Sequence, residues 1–172
     1  MPAMPAFQRE IEAALVARDD VLNATAIDYG GDGPVLILVQ PDVYSSGPDL
    51  RDECARILNG AADRIVVALV SDMPPLDSGI PDPVVLLGGA VSSYRYEPPS
   101  TRTERILADI WNDVLGRDQT GVLDDFLDLG GDSITAIQAV NRINDEFNVS
   151  IDVAGFFEAP SVRELAGVID GA

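Results

Sequence analysis

The sequence predicts two small domains in tandem, an α+β domain at the N-terminus and then an all-α four-helix bundle. Three observations carry that prediction. Uninterrupted apolar runs of strand length, Val35–Val39 and Ile65–Val70, fall only in the first half. Apolar stripes at helical spacing, with two Ser/Thr-x-x-Glu start signals, dominate the second half. Between the halves lies a stretch too rich in Pro and Gly for long regular structure. A chain of 172 residues, 47% of them hydrophobic, suits one medium domain or two small ones.

Residues 1–6 read as a short arm. Phe7 to Ala17 reads as a helix, with Phe7, Ile11, Ala14, Leu15 and Ala17 near one face and Glu10, Glu12 and Arg18 on the other. Asp19-Asp20 ends it. Val21 to Tyr29 is β-branched and apolar enough for a strand. Gly30-Gly31-Asp32-Gly33-Pro34 is a turn signal, and the next apolar run completes a hairpin in which Asn23–Asp28 pairs with Val35–Gln40. A second helix is expected from about Pro48 to Asn59, burying Leu50, Cys54, Ile57 and Leu58 and stopped by Gly60. Arg64 to Val70 is another strand. Met73 to Pro83 carries too many prolines for regular structure, Val84–Leu87 reads as a last short strand, and Gly88 to Pro99 reads as a linker from which Tyr94 and Tyr96 dock on a domain. The expected boundaries are residues 1–87, a linker at 88–99, and 100–172.

In the second half, Thr101 and Glu104 form a capping box ahead of a helix with Ile106, Leu107, Ile110, Trp111, Val114 and Leu115 on one face, and Gly116 ends it. A long loop, Arg117 to Gly131, follows, anchored by Val122, Phe126 and Leu129; loops of that length in compact domains are often functional. Val149-Ser150-Ile151 reads as extended, Val153–Phe157 as one or two helical turns, and Ser161 with Glu164 as a second capping box before a final helix. Trp111 and Phe147 read as core.

The chain carries a formal charge of −18 and its eleven basic residues are all arginine, with no lysine and no histidine. That balance disfavours nucleic acid and anionic membrane and favours basic protein partners. Without histidine, Ser-His-Asp and Cys-His catalysis and histidine metal sites are excluded; without lysine, so is lysine catalysis. Asp28-Tyr29-Gly30-Gly31-Asp32-Gly33 lacks the twelve-residue loop and terminal Glu of a calcium site, so no metal is expected. The single cysteine, Cys54, forms no internal disulfide and fits a buried free thiol in a reducing cytoplasm. No stretch is long enough to cross a membrane and no signal peptide is evident.

The most informative stretch is Asp125-Phe126-Leu127-Asp128-Leu129-Gly130-Gly131-Asp132-Ser133-Ile134. Asp132 is an N-cap candidate, Ser133 would sit exposed on the first helical turn, and Ile134, Ile137, Val140 and Ile143 form roughly one stripe. Unpaired N–H groups there would favour a phosphate ester on the serine oxygen. The bland alternative is that Gly-Gly-Asp-Ser only caps a helix. Together with the distal Phe156-Phe157-Glu158-Ala159-Pro160-Ser161-Val162-Arg163-Glu164-Leu165-Ala166, the stretch resembles the peptidyl carrier (thiolation) domains of nonribosomal peptide synthetases, over about residues 100–172.

That resemblance implies a four-helix carrier-protein bundle with 4′-phosphopantetheine joined covalently to Ser133, and no catalysis by the domain itself. The arm would hold an aminoacyl or acyl group as a thioester. The implied partners are a phosphopantetheinyl transferase, a separate adenylating enzyme, and downstream condensation, tailoring or thioesterase enzymes. They would grip an apolar rim of Leu129, Ile134 and Phe156, with Asp124, Asp125, Asp128 and Asp132 steering basic surfaces. Residues 7–83 resemble, more weakly, the C-terminal lid subdomain of adenylate-forming enzymes. Ile80 stands where that family's loop has its lysine, so the resemblance implies a non-catalytic docking or oligomerisation module. Met1 ahead of a natural-looking helix favours a free-standing protein. The alternatives are an excised piece of a larger adenylating synthetase, or a binding protein without the arm.

Overall fold

The structure, a computed structural model, describes residues 6–31, 33–58, 62–76 and 81–171. Residues 1–5 of the expected arm lie outside the described residues, as do Asp32, Asn59, Gly60 and Asp77–Ile80, so the substituted lysine position is not among them. The chain divides into two compact units, Met1–Arg95 and Tyr96–Ala172.

The N-terminal unit is a four-stranded sheet in the order β1-β2-β3-β4, with β1 at Val21–Asp28, β2 at Val35–Pro41, β3 at Ile65–Leu69 and β4 at Ser92–Arg95. β1 and β2 form the expected hairpin, Asn23 opposite Gln40 and Asp28 opposite Val35. β2 and β3 are parallel, joined through helix α2 (Gly47–Ile57), and β4 returns antiparallel on β3. All of Val35–Val39 is buried because β2 is central and covered on both faces, which is why its sequence does not alternate. On one face Ile27, Leu36, Leu38 and Ala68 pack with Leu86 of helix α3 (Pro83–Gly88). The residues between them on β2, including Ile37, point to the other face, where α1 (Ala6–Val16) packs on β1 and α2 on β3.

Two expectations for this unit are corrected. Val84–Leu87 is part of α3 rather than a strand: Asp82 accepts the Val84 N–H at 2.8 Å, and Pro83 at the first helical position completes a start signal that outweighs the β-branched residues. The supposed linker contains β4, with Val67 opposite Tyr94 and Leu69 opposite Ser92. Tyr94 lies against Gly47 so closely that any Cβ there would strike its ring. Ile57 and Leu58 are only half-buried, whereas Arg51 of the same helix is fully buried. Arg18 joins Asp20 at 2.8 Å and Glu53 at 2.9 Å; the hydrogen bond to Asp20 first, then that to Glu53, raises its pKa. Cys54 is fully buried, and burial, then Glu53, pushes its thiol up to about 12, so it is unreactive.

The C-terminal unit places four helices on one core: α4 (Arg102–Leu115), α5 (Ser133–Phe147), α6 (Val153–Glu158) and α7 (Val162–Asp170). Both expected capping boxes form, Thr101 with Glu104 and Ser161 with Glu164, and Gly116 ends α4 at φ 65°. The core centres on three aromatic rings: Trp111 lies 5.0 Å from Phe126, and Phe126 lies 4.9 Å from Phe156, both edge to face. Phe147 packs against this core. Residues 149–151 adopt no regular element, and Asn144 holds Ile151 by two hydrogen bonds of 2.8 Å. Among the described residues no helix is long and apolar enough to cross a membrane.

Candidate functional site

The 117–131 loop is held at three points. Val122 and Phe126 are fully buried and Leu129 nearly so. Phe126 N–H donates to the Pro160 carbonyl at 2.9 Å, fixing the loop to the start of α7, and Arg117 donates to the Leu129 carbonyl at 3.3 Å from the end of α4. The chain then turns back on itself, with the Gly131 N–H donating to the Phe126 carbonyl at 2.9 Å.

The two glycines are required for different reasons. Gly130 has φ 90°, a region that L side chains rarely enter. Gly131 presses on Phe126, whose ring a Cβ would strike. Beyond them Asp132 is the N-cap of α5. Its Oδ1 accepts the Ile134 N–H at 2.9 Å and the Thr135 N–H at 2.8 Å, while Thr135 Oγ1 accepts the Asp132 N–H at 2.8 Å. The Thr135 N–H and hydroxyl, then the Ile134 N–H, hold the Asp132 carboxyl below the usual carboxylate range, so it is charged at neutral pH.

Ser133 is the first residue of α5 and is exposed. The electrostatics differ from the expectation of unpaired donors. Asp132 has taken two of the first-turn N–H groups, and a carboxylate stands beside the serine. The pull of the helix end on a phosphate is thereby offset.

The flanks also differ from expectation. Leu129 and Phe156 are core residues, 3% and 0% exposed, and present no rim. Leu129 is a loop anchor and Phe156 belongs to the aromatic core, so in both the apolar group serves the fold. Asp124 is 2% exposed and accepts the Gly121 N–H at 2.8 Å, so it steers nothing. Asp125 accepts the Leu127 N–H at 2.7 Å and is half-buried, as is Asp128. Ile134 is 67% exposed and Ile137 50%, while Val140 and Ile143 are buried. A spacing of three advances about 300° around a helix, so nine residues carry the stripe from Ile143 to the opposite side at Ile134. Sequence reasoning missed Leu127, 52% exposed and inside the same motif. Its place between two buried anchors was the available signal. Among the described residues, no group of three or more Cys, Asp or Glu side chains is placed to hold a metal ion.

Residues 105–169 match the family model described as the phosphopantetheine attachment site. Gramicidin S synthase 2 of Brevibacillus brevis is 34% identical over 169 residues, covering 95% of this chain and 4% of that protein. Surfactin synthase subunit 2 of Bacillus subtilis (strain 168) is 30% identical over 175 residues, covering 95% and 5%. The chain thus spans only a small fraction of the length of these relatives. A chain in a solved complex of the phosphopantetheine transferase Sfp with coenzyme A and a peptidyl carrier protein is 30% identical, covering 45% of this chain and 100% of that one, with a TM-score of 0.44. The sequence match places the loop, the glycine pair and α5 inside one family, and the C-terminal unit of this chain belongs to it: a peptidyl carrier domain of the nonribosomal peptide synthetase kind, a phosphopantetheine-bearing protein and not itself an enzyme.

Proposed function

We propose that Ser133 is the residue to which the arm is joined. The observation that carries this reading is an exposed hydroxyl at the first position of α5, within the matched residues 105–169. Phe126 and Gly131 fix the turn, and Asp132 with Thr135 fixes the helix start, so the backbone that carries Ser133 is held in place. When joined there, the arm supplies a terminal thiol that holds an acyl group as a thioester. The chain's own residues orient the serine and give a partner something to grip.

That grip is read as Leu127, Ile134 and Ile137 for apolar contact, with Asp132 and Asp128 beside them for basic docking surfaces. The partners are read as a phosphopantetheinyl transferase, an adenylating enzyme, and acyl-accepting enzymes of a peptide synthetase pathway. The four helices and long loop are read as the carrier-protein bundle. The N-terminal unit is read as a docking module derived from an adenylating enzyme's lid subdomain; the similarity to synthetases over 95% of the chain supports this origin.

The test is intact mass after incubation with coenzyme A and a broad transferase. One phosphopantetheine is expected on the wild type and none on Ser133→Ala. A folded wild type that gains nothing, or a Ser133→Ala variant that still gains one, overturns the reading.

A further inference from the structure

The stretch 88–99, which the sequence marks as a linker, is largely fastened. On its N-terminal side Arg95 pairs with Val66 in the sheet. On its C-terminal side the Glu97 carbonyl accepts the Val122 N–H at 2.9 Å, and the Glu97 carboxylate meets Arg163 at 2.6 Å. Arg163 is itself fixed, its N–H donating to the Val122 carbonyl at 3.0 Å and its guanidinium reaching Glu104 at 3.3 Å. Ser100 is tied to Glu104 through both its N–H, at 2.8 Å, and its hydroxyl, at 2.7 Å. Pro98 and Pro99 between these points have restricted backbones and no N–H to satisfy.

We infer that residues 97–99 form a strap clipped to the carrier unit by the Glu97–Arg163 pair, which holds the Glu97 carbonyl on the Val122 N–H, and that the clip sets the length of the tether between the two units. Clipped, the joint is the backbone from Arg95 to Glu97. Released at both the ion pair and the Glu97 carbonyl, it extends to Ser100, which adds three residues and about 3 Å for each. The pair is built to open: its side chains are 40% and 32% exposed, where ion pairs are weak and salt-sensitive. A basic or acidic partner surface competing for either group would lengthen the carrier's reach. The inference stands whether or not Ser133 bears the arm.

The experiment is backbone amide relaxation of the full chain by NMR, read at Glu97 and Ser100, since the two prolines give no amide signal. In the wild type at low salt, the heteronuclear NOE of Glu97 should equal that of α4 residues. In Glu97→Gln it should fall clearly below them while Ser100 stays ordered, and added salt should produce the same fall in the wild type. Arg163→Gln, which opens the clip from the other side, should reproduce the loss at Glu97. A wild-type Glu97 more mobile than α4, or a Glu97 that stays ordered in both variants, overturns the inference.

Discussion

The tripeptide Gly-Gly-Asp occurs twice, at Gly30-Gly31-Asp32 and at Gly130-Gly131-Asp132, and does different work in the two units. In the first, both glycines have positive φ, 75° and 53°, and a Cβ added to either would meet nothing within 4 Å. The turn only reverses the chain: Asp28 accepts the Gly30 N–H at 2.9 Å and the Gly33 N–H returns to the Gly30 carbonyl at 2.9 Å. In the second, only Gly130 has positive φ, and Gly131 is wedged against a core ring. A hairpin turn needs backbone freedom alone; a turn that must aim a side chain needs one glycine for freedom and one for contact. The flanks decide which is built, paired strands in one case and a buried Phe126 ahead of a helix in the other.

The largest effect that would break this contrast is expected for Gly131→Ala. Overpacking against Phe126 should cost about 1–3 kcal/mol, read as a lower denaturant midpoint, and should slow arm attachment at Ser133. If Gly131→Ala were neutral, the wedge would be dispensable. Next come Gly130→Ala and Gly30→Ala. Each forces alanine into left-handed backbone at a cost of about 1–2 kcal/mol, but only Gly130→Ala should also slow attachment, measured by time-resolved intact mass. A smaller change is expected for Asp132→Ala, which loses the cap of α5 and lowers the thermal midpoint, whereas Asp132→Asn keeps most of it. The smallest is a pH effect. The folded pKa of Asp132 is depressed, so its contribution is complete above the ordinary carboxylate value, about 3.9, and is lost as pH falls through the depressed one. An NMR titration of the Asp132 carboxyl should show its midpoint rising towards the ordinary value in Thr135→Val.

Much of this was legible in the sequence because local and tertiary signals agree. Capping boxes at Thr101 and Ser161, the hairpin register and the three loop anchors all appear where short-range chemistry places them. The failures have physical causes. Val84 and Val85 suggest a strand by side-chain shape, but the Asp82-Pro83 start signal prevails and leaves them 75% and 69% exposed on α3. β4 exists because β3 offers it a partner, a long-range fact that Ser92-Ser93-Tyr94-Arg95 does not announce. Around Ser133 the hydroxyl's place on the helix was readable, yet the division of Leu127, Leu129, Ile134 and Phe156 into surface and core depends on which way the loop turns. Asp124 misled for the same reason: a carboxylate in an acidic run is ordinarily solvated, and this one is folded inward onto Gly121.

Glu12 was expected on the solvent side of α1, and instead its Oε1 accepts the Ala26 N–H at 2.8 Å. Ala26 sits opposite Ile37 in β1, the outermost strand, so an N–H satisfied by a helix side chain is one turned away from the sheet. A single carboxylate therefore plugs that open border halfway along, and a foreign strand seeking to extend the sheet from this side would first have to evict it.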